Sequence, residues 1–219
     1  MNLFITEPAR NTSRKNPLEI QTPLGNLVFC CEFNGKIFNN PTDRNLLINN
    51  NTLLSSWQSD YYILEFLCFK NNPKLPAGIN VDECIYGVWR VKILKELKIS
   101  FCCSLKEELV GIPNSGEGLL ATTFETEDYT LSIGTEDEDY LQNRAGSEWF
   151  PERLKSEINP NYLEYLPNGI KINLPNLFIH EQAQIHFIVS WANKKNDNLS
   201  TWFAVDQSLK ETMSQMNIR

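Results

Sequence analysis

The chain is poor in the side chains that most often carry catalysis. Its 219 residues include only two histidines, His180 and His186. No C-x-x-C occurs, which excludes zinc-ribbon and thioredoxin-like readings. Neither G-x-G-x-x-G nor a G-K-[ST] phosphate loop is present, so dinucleotide and P-loop nucleotide binding are not expected. No apolar run approaches the length of a membrane-spanning helix. The segment Met1–Glu7 has no basic stretch leading into a long apolar core, so no secretory leader is expected. Lysine and arginine are missing altogether from residues 117–139.

That last gap sets the charge distribution. Glu117, Glu125, Glu127, Asp128, Glu136, Asp137, Glu138 and Asp139 give the segment −8, against −7 for the whole chain. Such a balance disfavours nucleic acid, whose phosphates need clustered cations. The segment reads as a solvated face, or as a docking surface for a protein with a basic patch. Glu136, Asp137, Glu138 and Asp139 also suit a helix N-terminus, where the macrodipole favours acidic side chains. They lack the spacing of a calcium loop.

Six cysteines are present: Cys30, Cys31, Cys68, Cys84, Cys102 and Cys103. Each lies among Val, Ile, Leu or Phe, where a free thiol behaves as a small buried hydrophobe. Cys30 and Cys31 are neighbours and on a strand would point to opposite faces. The expectation is six thiols in a reducing, cytoplasmic setting, with no metal and no cofactor.

What the chain has in quantity is short apolar or alternating runs separated by turn residues. Leu27–Phe33 runs into Asn34-Gly35, and Lys36–Phe38 returns. Asn-Gly between apolar runs is a strong hairpin signal. Tyr61–Phe69 is apolar on nearly both parities, as in a strand covered on both faces. From Cys84 to Leu94, Ile85, Trp89, Val91 and Ile93 alternate with Tyr86, Arg90 and Lys92. Ile170–Leu174 and Ile185–Trp191 alternate in the same way, while Leu105–Gly118 reads as a connection. Residues 135–160 are the best helical candidate, with Pro151 early and Leu154 and Ile158 on one side. Ser208 and Glu211 form a capping box for a short C-terminal helix. Crossover helices are missing between most strands, so a parallel sheet is not expected. The pattern predicts an all-β fold, a single antiparallel β-sandwich or barrel of about nine to eleven strands with one or two short helices. Residues 1–17 read as a flexible segment preceding a single domain over 18–219.

His180 and His186 frame His-Glu-Gln-Ala-Gln-Ile-His, two residues too long for the zincin H-E-x-x-H. In extended chain they stand roughly 20 Å apart, too far to share a metal. His180 is expected exposed on a turn, and His186 packed or at an edge. Trp89 and Trp191 fall in phase with aliphatic neighbours. Trp57 and Trp149 fall near element boundaries, where an aromatic side chain can anchor a partner.

Two functional expectations follow. In the first, the chain is a non-catalytic binding or scaffold domain. It contacts a basic protein, or a second copy of itself, through Glu136, Asp137, Glu138, Asp139 and whichever of Trp57 or Trp149 is exposed. In the second, it is an enzyme with a pocket in the β fold. His186 is then the acid–base group and Arg90 its charged partner, because both fall off the aliphatic face of their strands.

Overall fold

The computed structural model describes residues 18–38, 44–49, 52–116, 118–195 and 200–214. The N-terminal segment 1–17 lies outside the described residues. Fourteen strands and four short α-helices are present among those described. The strands are β1 (Glu19–Thr22), β2 (Gly25–Phe33), β3 (Lys36–Ile37), β4 (Arg44–Asn49), β5 (Thr52–Gln58), β6 (Tyr62–Lys70) and β7 (Glu83–Ile93). They continue with β8 (Ile99–Leu105), β9 (Ile112–Gly116), β10 (Leu119–Glu125) and β11 (Tyr129–Glu136). After helices α1 (Glu138–Asn143) and α2 (Leu154–Glu157) come β12 (Leu163–Leu166), β13 (Gly169–Asn173) and β14 (Gln182–Asn193). Helices α3 (Ser200–Val205) and α4 (Leu209–Ser214) follow.

Among the described residues all strand pairings are antiparallel. One sheet has the order β1-β2-β8-β13-β12, with β3 attached to β2. The other has the order β4-β5-β6-β7-β14-β11-β10-β9. The expected β-sandwich is what forms. The strand number exceeds the expected one because β1 and β12 are only four residues long, too short for a clear alternation, and β9 has a turn-like composition and becomes a strand only by pairing. Leu94–Lys98, between β7 and β8, carries the chain from the larger sheet to the smaller one.

The inner faces fill the core. Leu27, Phe29, Phe101 and Ile172 of the smaller sheet meet Phe66, Trp89, Ile133 and Phe187 of the larger. Burying each such side chain stabilises by about 1.5–3 kcal/mol before the ordering entropy is counted. The turn Asn34-Gly35 has φ of 49° and 77°, as a type I′ corner requires. The helical expectation over 135–160 reduces to α1 and α2. Both are short, because β11 runs on to Glu136 and a tight turn at Ser147–Phe150 separates them. Leu141, Phe150, Leu154 and Ile158 still turn into the core.

The larger sheet is covered on its outer face as well. Leu67, Phe69, Tyr86, Val88, Leu119 and Ile188 pack under Ala204, Val205 and Leu209 of α3 and α4. This explains the two-sided apolar character of β6. The capping box forms as expected: the Ser208 amide donates to Glu211 Oε2 at 2.8 Å, and the Glu211 amide donates to Ser208 Oγ at 3.3 Å.

The cysteines depart from expectation. Cys30 and Cys102 stand directly opposite on β2 and β8 and are joined by a disulfide, with Cα atoms 5.1 Å apart. Cys30 and Cys31 do point to opposite faces, but the partner of Cys30 comes from the neighbouring strand, 72 residues later. Cys31, Cys68, Cys84 and Cys103 are thiols. Burial pushes Cys68 and Cys84 up to about 12, so neither is a ready nucleophile.

Candidate functional site

His186 sits on β14 facing outward from the sandwich, on the face opposite Ile185, Phe187 and Val189, as its parity implies. That face is roofed there by the link between α3 and α4, so His186 is only 1% exposed. Its Nε2 donates to the Gln207 carbonyl at 3.1 Å, and its Nδ1 lies 4.0 Å from Glu136 Oε2. Glu136, at the end of β11, is 2% exposed. Its Oε1 accepts the Leu209 amide at 2.9 Å, and its Oε2 lies 2.7 Å from Arg144 Nε. The Arg144–Glu136 contact is a close ion pair whose N–H is not aligned on the oxygen. Arg144 also donates from Nη2 to the Gln184 carbonyl at 2.8 Å, and its guanidinium lies 4.6 Å from the centre of the Phe150 ring.

Electrostatics keep this cluster quiet. Burial, reinforced by the Arg144 charge, holds His186 below its ordinary range against the opposing pull of Glu136 and Gln207. Arg144 is also lowered by burial, against the pull of Glu136. His186 thus lies under a packed roof with its Nε2–H committed to a backbone carbonyl. Its charged neighbours are Glu136 and Arg144, not the expected Arg90. Arg90 lies on the same outer face one register step along, opposite Gln184, whereas His186 is opposite Val88. The Arg90 guanidinium sits 5.0 Å from the Trp149 ring. Burial lowers Arg90, while Glu65 and Glu148 pull it up.

The acidic segment does not form one surface. Glu136 is buried and ion-paired, so it cannot greet a partner. Asp137 caps α1, accepting the Tyr140 amide at 3.0 Å, and Glu138 and Asp139 occupy the first helical turn. Glu125, Glu127 and Asp128 lie at the opposite end of the β10–β11 hairpin, about 20 Å away at the usual strand rise. Glu125 pairs with Lys194 at 2.9 Å. Trp57 is buried against Trp89 and offers nothing to a partner, whereas Trp149 is half-buried over Arg90. His180 is exposed on its turn, as expected, and the structure does not bring it to His186. Among the described residues, no group of three or more His, Cys, Asp or Glu side chains is placed to hold a metal. No helix among them is long and apolar enough to cross a membrane.

One rim that composition did not single out brings exposed apolar side chains onto adjoining loops. Three loops meet where β7 ends and β14 begins. The Tyr61 carbonyl accepts the Leu94 and Lys95 amides, and the Ile93 carbonyl accepts the His180 amide at 2.8 Å. The rim shows Tyr61 at 53%, Phe178 at 45% and Ile179 at 56% exposure. The Phe178–Glu181 turn is clamped. Arg153 donates to both Glu181 oxygens at 2.7 and 2.6 Å, donates to Glu157 at 2.6 Å and bonds the Asn176 carbonyl. Its guanidinium stacks 4.1 Å from the Phe178 ring centre, and Glu181 Oε2 accepts the Phe178 amide at 2.8 Å. His180 holds φ of 71°, a left-handed geometry rare for a side-chain-bearing residue. Burial raises Glu181, but the Arg153 and Phe178 hydrogen bonds outweigh it and leave the carboxyl low. On the opposite side of the molecule a shallow cleft of about 250 Å³ is lined by Lys70, Asn71, Asn72, Asp82, Glu83 and Cys84.

No family model and no curated protein matches this chain. Among solved structures, one described as "Putative kojibiose phosphorylase from human microbiome" superposes with a TM-score of 0.43 at 8% identity. The match covers 86% of this chain and 24% of that one. So distant a likeness carries no argument about activity.

Proposed function

We propose that the chain is a non-catalytic β-sandwich binding domain that contacts a protein through the rim formed by Tyr61, Phe178 and Ile179. The carrying observation is the clamped Phe178–Glu181 turn. It exposes two large apolar side chains while Arg153 and Glu181 fix its backbone. A turn ordered before binding loses little entropy on docking. Large side chains at the centre of a contact supply most of its energy. The left-handed His180 adds to the case, because backbone strain of this kind is held only where the surroundings impose it. The burial of His186 under the α3–α4 link counts against the acid–base alternative.

A photo-crosslinking residue at position 179 tests this in native extract, followed by affinity measurement on the purified partner. Ile179→Ser should weaken binding at least about tenfold, equivalent to about 1.4 kcal/mol, with the thermal midpoint unchanged, and Phe178→Ser, which also removes the ring stacked on Arg153, at least as much. A contact through Glu138 and Asp139 makes the opposite forecast. Affinity that survives both rim variants and fails in Glu138→Gln/Asp139→Asn would overturn the rim, as would the absence of any crosslinked partner.

A further inference from the structure

The disulfide occupies an unusual place for a structural staple. Cys30 and Cys102 face outward from the smaller sheet, while their sequence neighbours Cys31 and Cys103 point into the core. The strands they join are already paired over seven register positions, Leu27↔Leu105 to Phe33↔Ile99. In the folded state the hydrogen-bond ladder holds these strands together without the crosslink, whose own contribution is to restrain a 72-residue separation in the unfolded chain. Cys30 is half-buried and the more exposed of the two, whereas Cys102 is 6% exposed. Lys171 on β13 stands directly opposite Cys102 in the next register pair. Its ammonium reaches across β8 to Glu32 on β2, at 2.7 Å. Side chains directly opposite on neighbouring strands have Cβ atoms about 5 Å apart, so the Lys171 side chain passes beside Cys102 on this face. A positive charge near a leaving sulfur favours its thiolate and speeds exchange.

We propose that Cys30–Cys102 is a reversible thiol–disulfide exchange site for a dithiol reductant, with Cys30 the sulfur attacked and Lys171 a positioning residue for the departing Cys102 thiolate. In the first step the reductant thiolate forms a bond to Cys30 Sγ. The Cys30–Cys102 bond breaks, and its electron pair leaves on Cys102 Sγ. In the second step the reductant's other thiol attacks its own bonded sulfur and expels Cys30. The protein gains two electrons and two protons, and the reductant becomes a disulfide. The paired β2–β8 ladder lets both states share one fold.

The test is reduction of the native protein by dithiothreitol, followed by thiol alkylation and mass spectrometry. Cys30 and Cys102 should be labelled within minutes at millimolar dithiol while the protein stays folded at room temperature, with the thermal midpoint lowered by roughly 10 °C, the size expected for opening a loop of this length. Lys171→Met should slow the native reaction about threefold or more and Glu32→Gln should speed it, while reduction of the urea-unfolded variants keeps the wild-type rate. Several observations overturn the proposal: a native bridge that resists dithiol until the protein unfolds, reduction that melts the fold, or rates indifferent to Lys171. A purified protein that carries Cys30 and Cys102 as thiols and cannot be oxidised to the bridge does so too. A Cys30→Ser/Cys102→Ser protein that folds normally supports the premise that both states share one fold. One that fails to fold removes it.

Discussion

Glu136 shows how one residue can change meaning when the chain folds. In sequence it opens an acidic run, but in the fold it is the buried anion to which α1 and the α3–α4 link are tied. Removing Arg144 strands that carboxylate without a counter-charge. Arg144→Met should therefore lower the unfolding free energy by about 3–5 kcal/mol in urea titration. Adding Glu136→Gln to it should recover a large part, since the double variant buries no unpaired charge. His186 contributes a pH dependence of predictable sign. Its folded value lies below the ordinary 6.5, so the unfolded chain takes up the proton first as pH falls. Its contribution is intact above about 6.5 and is lost progressively below it, at no more than about 1.4 kcal/mol per pH unit. Stability measured from pH 7.5 to 5 should fall more steeply for wild type than for His186→Gln. Equal slopes would show that His186 does not titrate in this range.

At the level of elements, legibility followed the range of the signal. The Asn34-Gly35 corner, the alternation of β7 and β14 and the Ser208–Glu211 cap depend on neighbours in sequence, and all three were readable. Strand β9 was not. Ile112-Pro113-Asn114-Ser115-Gly116 has turn composition and is a strand because β10 pairs with it. The roof over His186 was invisible for a related reason: parity placed the side chain off the aliphatic face but could not say that α3 and α4 return to cover that face. The Cys30–Cys102 bridge needs the β2–β8 register, and the Phe178–Ile179 rim needs Arg153, 25 residues upstream of Phe178. The contact of α3 with the sheet is close enough to test directly. A Cβ at Gly134 would lie 2.7 Å from the Val205 Cβ and 3.0 Å from the Val205 carbonyl oxygen. Gly134→Ala should cost about 1–3 kcal/mol by overpacking. Val205→Ala in the same protein should relieve part of that cost, read as a positive coupling in a double-mutant cycle.

For the molecule as a whole, the position of β14 governs assembly. It lies between β7 and β11, so the larger sheet consists of two blocks, β4–β7 and β9–β11, with no direct pairing to each other. Among the described residues, the strand that joins them comes last in sequence. During synthesis β7 and β11 each wait with an open edge, the kind of surface that recruits foreign strands. Any chain shortened before residues 182–193 would keep both of those edges open, so truncation there should turn the domain toward aggregation.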